Sequence, residues 1–192
     1  MTRIVLASNS PRRKELLERV GVEFSVDASS IEEVVRDHET PEQIAMGLAL
    51  EKGLDVASRH EEGTLIIAAD TIVYHNEVMG KPQDAEDARN MLTSLSGSLH
   101  QVYTGFAIIE AGTNKKIVDF ECTDVQFKSL SDEKIDRYIE SGEAYGKAGA
   151  YAIQGKGMTL VEWIKGDFFN VVGLPVSKLE SLLEKHFEMR FI

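Results

Sequence analysis

The chain has one cysteine, one tryptophan and four prolines in 192 residues, and no apolar run approaches the length that crosses a bilayer. A lone Cys122 excludes an intramolecular disulfide and a cysteine-based zinc centre, and it suits a reducing, cytoplasmic setting. The apolar stretch at residues 4–7 is far too short for a signal peptide. Cations are scarce: 21 Lys and Arg against 32 Asp and Glu leave a net charge of −11. That balance argues against sequence-independent binding to nucleic acid or to an anionic membrane, both of which need a basic surface. Familiar signatures are missing as well. There is no Walker-type phosphate loop and no GxGxxG, no HExxH among five scattered histidines, and no GxSxG nucleophile elbow. Repeats and low-complexity linkers are absent.

What is present is a globular composition, 43% hydrophobic with a mean hydropathy of −0.17, long enough for one domain over residues 1–192 with a real core. Strand-like and helix-like segments alternate, then give way to a hairpin-rich middle. A strand over residues 1–7 leads through Ser8-Asn9-Ser10-Pro11 into a helix, with proline at its first position. Phe24-Ser25-Val26 and an acidic stretch from Ser30 to Glu39 follow. Thr40-Pro41-Glu42 opens a helix to about Ser58, with Ile44, Ala45, Leu48, Ala49 and Val56 on one face. Residues 65–69 form an apolar strand that ends at Asp70-Thr71, before a second run at 72–74. His75-Asn76-Glu77 predicts a hairpin turn and Gly80-Lys81-Pro82 an extended one. A helix spans 84–95 with Ala85, Ala88, Met91, Leu92 and Leu95 inward. Strands at 102–110 and 116–127 flank a turn, a short helix covers 132–141, and a glycine-rich stretch runs from 146 to 157. A strand at 160–164 and a helix from Pro175 to about Phe187 complete the chain. The fold class is α/β (α+β) with a mixed sheet.

The opening of the first helix is unusual. A helix N-terminus carries about half a positive charge, and each cation placed there costs ~0.3–1 kcal/mol unless an anion faces it. Here the first turn reads Arg12, Arg13, Lys14. Backbone N–H groups, hydroxyls and two guanidiniums describe a phosphate site; a solvated basic turn burying Leu16, Leu17 and Val20 is the alternative. Asp70, at a strand end, reads as a catalytic carboxylate or as a turn-starting aspartate. Glu32 and Glu33 are solvated loop acids or, together with Asp70, carboxylates for Mg²⁺ or Mn²⁺. Lys52 falls on the apolar stripe of its helix, so it either snorkels outward or projects an ammonium into a site. Lys81 leaves a rigid turn in a defined direction. Gln154 stands beside Gly155 and Gly157, where a flat ligand can approach, although a plain turn explains the glycines too.

With these residues assembled, the chain resembles the Maf family of nucleotide pyrophosphatases, whose fold is similar to that of inosine triphosphate pyrophosphatases. The matching segments are Leu6-Ala7-Ser8-Asn9-Ser10-Pro11-Arg12-Arg13, Glu32-Glu33, Ala49-Leu50-Glu51-Lys52, Ala69-Asp70-Thr71, Gly80-Lys81-Pro82 and Val102-Tyr103-Thr104-Gly105. Lys147-Ala148-Gly149-Ala150-Tyr151-Ala152-Ile153-Gln154-Gly155 and Asn170-Val171-Val172-Gly173-Leu174-Pro175 complete the pattern. Gly146 departs from it, standing where members often carry aspartate.

The resemblance implies an elongated mixed central sheet flanked by helices, in two lobes with an active-site cleft between them. It implies hydrolysis of a nucleoside triphosphate to the monophosphate and pyrophosphate, with a divalent cation, Mg or Mn, as cofactor. Asp70 is then the proton acceptor for the attacking water and a metal ligand, and Glu33 helps hold the metal. Ser8, Arg13, Lys52 and Lys81 hold the phosphates, and Lys14 does not. Arg12, Thr71 and Gln154 match the members that prefer dTTP and UTP; members preferring 7-methyl-GTP carry tryptophan, glutamine and glutamate there. The amide of Gln154 offers one acceptor and one donor, complementary to N3–H and a carbonyl of uracil or thymine. The expected activity is therefore on dTTP, UTP and modified pyrimidine nucleotides, in the cytoplasm, with no stable nucleic-acid or membrane partner. A homodimer is compatible with the resemblance. Two alternatives stand beside this reading: a 7-methyl-GTP pyrophosphatase, and a non-catalytic nucleotide-binding regulator of septum formation.

Overall fold

The computed structural model describes residues 3–34 and 38–192. The expected first two strand residues, and residues 35–37 of the acidic stretch, lie outside the described residues. The chain divides into two compact units. One holds residues up to 70, 104–121 and 173–192; the other holds 71–103 and 122–172.

The elements of the first unit follow the sequence periodicities. β1 (Ile4–Leu6) is wholly buried, and α1 (Pro11–Arg19) buries Leu16 and Leu17. β2 (Ser25–Val26) follows. α2 (Pro41–Ala57) turns Ile44, Ala45, Leu48, Ala49 and Val56 inward, as its stripe predicts. The Thr40 N–H donates to Gln43 Oε1 at its start, a reciprocal cap for a donor the helix leaves unpaired. β1 pairs in parallel with β2, Leu6 opposite Val26, and with β3 (Leu65–His75), Leu6 opposite Ile67. Val5, Ala7, Val56, Ile66, Ala68, Ala107 and Ile109 form a core between strands and helix. The close seat of α2 depends on two glycines. A Cβ on Gly53 would lie 2.8 Å from Ile109 Cδ1, and one on Gly105 would run into the Ala45 backbone.

In the second unit, β4 (Glu77–Met79) folds back antiparallel on β3 through Asn76, whose φ of 61° makes the expected hairpin turn. α3 (Ala85–Leu95) is capped by the Asp84 carboxylate, which accepts from Asp87 N at 2.8 Å. β5 (Leu99–Glu110) and β6 (Lys116–Phe127) run on from one unit into the other. α4 (Asp132–Glu140) starts at Ser131 and buries Ile135, Tyr138 and Ile139. β7 (Val161–Lys165) pairs antiparallel with β6. α5 (Phe168–Val172) and α6 (Val176–Phe187) follow, the latter returning to the first unit. The core here gathers Val73, Leu92, Leu95, Phe127, Ile135, Tyr138 and Leu160. The strand order is β2-β1-β3-β5-β6-β7, with β4 on β3. This is the mixed sheet with flanking helices that the sequence predicts.

Two expectations are corrected, and one element is additional. β3 does not end at Asp70; it runs unbroken to His75, because the carboxylate finds a cationic partner while Thr71, Ile72 and Val73 continue the β-branched run. Ala85 is exposed, since it begins the first turn of α3 outside the buried stripe of Ala88, Leu92 and Leu95. The five-residue α5 was not anticipated, being too short to show a helical period. No helix among the described residues is long and apolar enough to cross a membrane.

Candidate active site

Three parallel strands deliver polar groups at the same end of the first unit. Ser8 lies just beyond β1, where Ala7 N donates to Ile67 O at 2.8 Å and so keeps this chain beside β3. The loop after β2 begins with Asp27 N donating to Leu6 O at 3.2 Å. Asp70 lies three residues beyond Ile67 on β3. Groups just past the carboxyl ends of parallel strands are the usual place for ligand chemistry in α/β folds.

Lys52 enters this place from α2. Its ammonium is 2.5 Å from Asp70 Oδ1 and 2.7 Å from Glu33 Oε1. The Lys52 and Asp70 side chains are 14% and 11% exposed, whereas Glu33 is 44% exposed. The ammonium therefore turns to two carboxylates and does not snorkel outward to solvent. Asp55 of the same helix and Arg59, just past its end, fix the loop that carries Glu33. Asp55 accepts from Ser29 Oγ at 2.8 Å and from Ser30 N at 3.3 Å. Arg59 reaches Asp27 Oδ1 at 3.0 Å and the Ala28 carbonyl at 3.1 Å. These bonds hold the Asp27 and Asp55 carboxyls below the ordinary aspartate range; the main cause is Arg59 for Asp27 and the Ser29 hydroxyl for Asp55. Glu32 is exposed.

Arg13 is clamped from two sides. Its Nε donates to Gly173 O at 2.8 Å and a terminal nitrogen donates to Ser8 Oγ at 3.1 Å. Desolvation lowers its pKa, opposed by the negative charge of Asp70 and reinforced by neighbouring Arg12. A guanidinium nevertheless stays protonated in any ordinary buffer. No acidic residue occupies the first turn of α1, so the cations there face no acid of their own turn. Lys14 instead pairs along the helix with Glu18 at 3.6 Å, exposed to solvent.

Thr71, Lys81 and Gln154 belong to the second unit. Thr71 follows Asp70 directly in β3 and is half-buried, and Lys81 is exposed after Gly80. Gln154 precedes the 3-10 turn Gly155–Thr159 and makes no side-chain capping bond to it. The turn at Gly80 is tied to the glycine-rich stretch by Gly149 N donating to Gly80 O at 3.1 Å. Asn170 is fully buried and donates to Val102 O and Thr123 Oγ1, both at 3.0 Å.

Among the described residues, no group of three or more His, Cys, Asp or Glu side chains is placed to hold a metal ion. A cage made wholly of protein ligands is therefore not present there. Asp70 and Glu33, which share one ammonium, supply two hard carboxylate donors at one place. That set fits Mg²⁺ or Mn²⁺, ions bound by one or two carboxylates with water and substrate phosphates completing the shell.

Three supports of this architecture have no local signature. Asp55 on α2 and Arg59 just past its end, four apart, carried the signal of a helix pair but not of a loop anchor. The buried pair His100 and Tyr151, joined at 2.7 Å, and the Glu143 carboxylate on the turn after Gln154 carried none, since each partner is a lone residue of its type locally.

Comparison with known proteins bears on the family and the fold. The Maf-like protein family model matches residues 3–186. The chain is 50% identical over 192 residues to the dTTP/UTP pyrophosphatase of Alkaliphilus oremlandii, covering 100% of both chains. It is 47% identical over 186 residues to the dTTP/UTP pyrophosphatase of Clostridioides difficile, covering 97% of this chain and 96% of that one. Among solved structures, a HAM1 protein from Coxiella burnetii is similar with a TM-score of 0.56 at 15% identity, over 98% of this chain and 100% of that one; this is a likeness of fold. The chain belongs to the Maf-like protein family.

Proposed function

We propose that the protein is a nucleoside triphosphate pyrophosphatase that hydrolyses dTTP and UTP, and modified pyrimidine nucleotides with them, to the monophosphate and pyrophosphate in the cytoplasm. The observation that carries the reading is the Lys52 ammonium shared by Asp70 and Glu33. The identity to dTTP/UTP pyrophosphatases over the full chain supports it. Ser8, Arg13, Lys52 and Lys81 hold the phosphate chain. Arg13 is suited to this, because its contacts to Gly173 and Ser8 fix the plane of a fork whose geometry matches phosphate oxygens. Asp70 accepts the proton of the attacking water. Lys52 keeps that carboxylate oriented, and cations gathered around the phosphates stabilise the charge that spreads over them in the transition state.

Asp70 and Glu33 are the residues that would hold a magnesium or manganese ion, whose contribution there is neutralisation of phosphate charge. Arg12, Thr71 and Gln154 select the base. The amide of Gln154 pairs with N3–H and a carbonyl of uracil or thymine, and Arg12 donates to the second carbonyl. Guanine presents two donors at the corresponding edge, which an amide cannot satisfy together.

The test is a nucleotide panel (dTTP, UTP, CTP, GTP, 7-methyl-GTP) with Mg²⁺ or Mn²⁺, in which pyrophosphate and monophosphate are measured. The reading expects both in equal amounts, fastest from dTTP and UTP. Tight nucleotide binding with no pyrophosphate from either would replace it with a binding protein.

A further inference from the structure

The stretch that carries Gln154 has little regular structure, so its shape depends on side chains that reach it from elsewhere in the second unit. On the N-terminal side of Gln154 there are two such contacts. The Tyr151 hydroxyl meets His100 Nε2 at 2.7 Å, with both rings edge-on to Phe127. Ala152 N donates to the Tyr138 hydroxyl at 3.2 Å. On the C-terminal side, Glu143 reaches over from the segment after α4. Its Oε2 accepts from Lys156 N at 2.9 Å and from Gly157 N at 3.3 Å, and its Oε1 accepts from Lys156 N at 3.2 Å. Gly155, between Gln154 and these amides, has φ +65°, and a Cβ there would sit 2.9 Å from both carboxylate oxygens. Glycine at 155 thus serves both the backbone conformation and the approach of the acid. Glu143 is held in turn: its own N–H donates to Ser141 Oγ at 3.4 Å, and that hydroxyl donates to Tyr138 O at 2.6 Å.

We propose that Glu143 is a positioning residue for base selection, fixing the turn after Gln154 so that the Gln154 amide is presented in one direction. This rests on the reading of Gln154 as a base-selecting residue. A charged acceptor on two successive amides makes bonds stronger than neutral ones. The two N–H groups it collects belong to the first residues of a 3-10 turn and have no intraturn acceptor. Without the carboxylate those amides turn to water, the backbone at 154–157 gains alternatives, and the side-chain amide of Gln154 loses its fixed approach to N3–H and the carbonyl. Misplacement of a selecting group by about 1 Å is enough to cost most of its discrimination.

The experiment uses the full-length protein with Mg²⁺ and measures kcat and KM for UTP and GTP, with melting temperature alongside. The variants are Glu143→Ala and Glu143→Gln, each alone and combined with Gln154→Ala. Loss of Glu143 in Glu143→Ala is expected to raise KM for UTP about tenfold, leave kcat within about twofold, and shrink the UTP-over-GTP ratio of kcat/KM in proportion. Glu143→Gln keeps one oxygen acceptor and recovers part of the ratio. In the Gln154→Ala background, Glu143→Ala adds less than about twofold, because the group it positions is gone. If Gln154→Ala shifts the ratio but neither Glu143 variant does, whatever happens to melting temperature, Glu143 only supports the fold and the proposal is overturned. If Gln154→Ala itself leaves the ratio unchanged, the base-selecting role of Gln154 is what fails, and the proposal falls with it. Should Glu143→Ala not fold, Glu143→Gln decides alone.

Discussion

The Lys52 ammonium lies 2.5 Å from Asp70 Oδ1 although the two residues come from different elements, α2 and the middle of β3. Burying a carboxylate in a strand is costly unless a cation is delivered to it, and α2 delivers one by lying close enough that Gly53 could not carry a Cβ without displacing Ile109 or Ala68. Structure and chemistry are joined at this pair. Replacing Lys52 should weaken both.

Lys52→Ala removes the ammonium between Asp70 and Glu33 and leaves Arg13 as the cation whose charge still acts on both. The expected outcome is a loss of about 2–3 kcal/mol of folding stability at neutral pH, below the value for a fully buried pair because Glu33 is largely solvated. The companion Lys52→Ala, Asp70→Asn protein should regain part of that loss, since it no longer buries a carboxylate that has lost its direct ammonium partner. Urea denaturation of the two variants measures this directly, and equal stabilities would mean the pair is not coupled.

The fold was readable wherever apolar residues recur with a clear period. The stripe of α2, the runs of β5 and β6 and the amphipathic α4 all stand where their spacing places them. Asp70 reads in the sequence as the end of a strand, and the structure carries it within β3. An isolated Asp-Thr looks like a turn when the cation that neutralises it lies 18 residues earlier. Glu143 and His100 were invisible for the same reason: each acts through a contact 13 or 51 residues distant along the chain, and no local pattern encodes such a contact. The residues of the first helix turn stand out in the sequence because they contradict the helix dipole, which is a purely local rule.

Substrate choice gives the second prediction. Gln154→Glu replaces an amide donor with a second acceptor, which suits guanine's two donors and repels the carbonyls of uracil. The UTP-to-7-methyl-GTP ratio of kcat/KM should fall by about tenfold or more, since groups built for one hydrogen-bond pattern reject the other strongly. Steady-state kinetics on both nucleotides checks it, and an unchanged ranking would remove Gln154 from base selection.

The buried His100 predicts a pH dependence of stability. Burial, with a smaller contribution from nearby His75, lowers its pKa from 6.5 to about 4. The imidazole is thus neutral when folded and protonates more readily when unfolded. Its contribution is complete above pH 6.5, is lost progressively as pH falls from 6.5 towards 4, and changes no further below that. The drop is on the order of 3 kcal/mol across this window. Denaturation curves from pH 7.5 to 4 should show it, and in His100→Gln the part of the slope due to this group should vanish, leaving a protein less stable at pH 7.5 but less sensitive to acid. Parallel slopes in the two proteins would contradict the assignment.

The central claim is that Asp70, held by Lys52, activates water against a bound pyrimidine triphosphate. Its most direct test is pyrophosphate release from UTP by wild type and Asp70→Asn side by side, with UTP affinity measured on the same preparations. The account predicts UMP and pyrophosphate in equal amounts from wild type, and a fall in kcat of about 10²–10⁴-fold in Asp70→Asn, the usual range for loss of a general base, with affinity retained within several-fold. An Asp70→Asn protein that turns UTP over within about threefold of wild type, against that expected range, would contradict it.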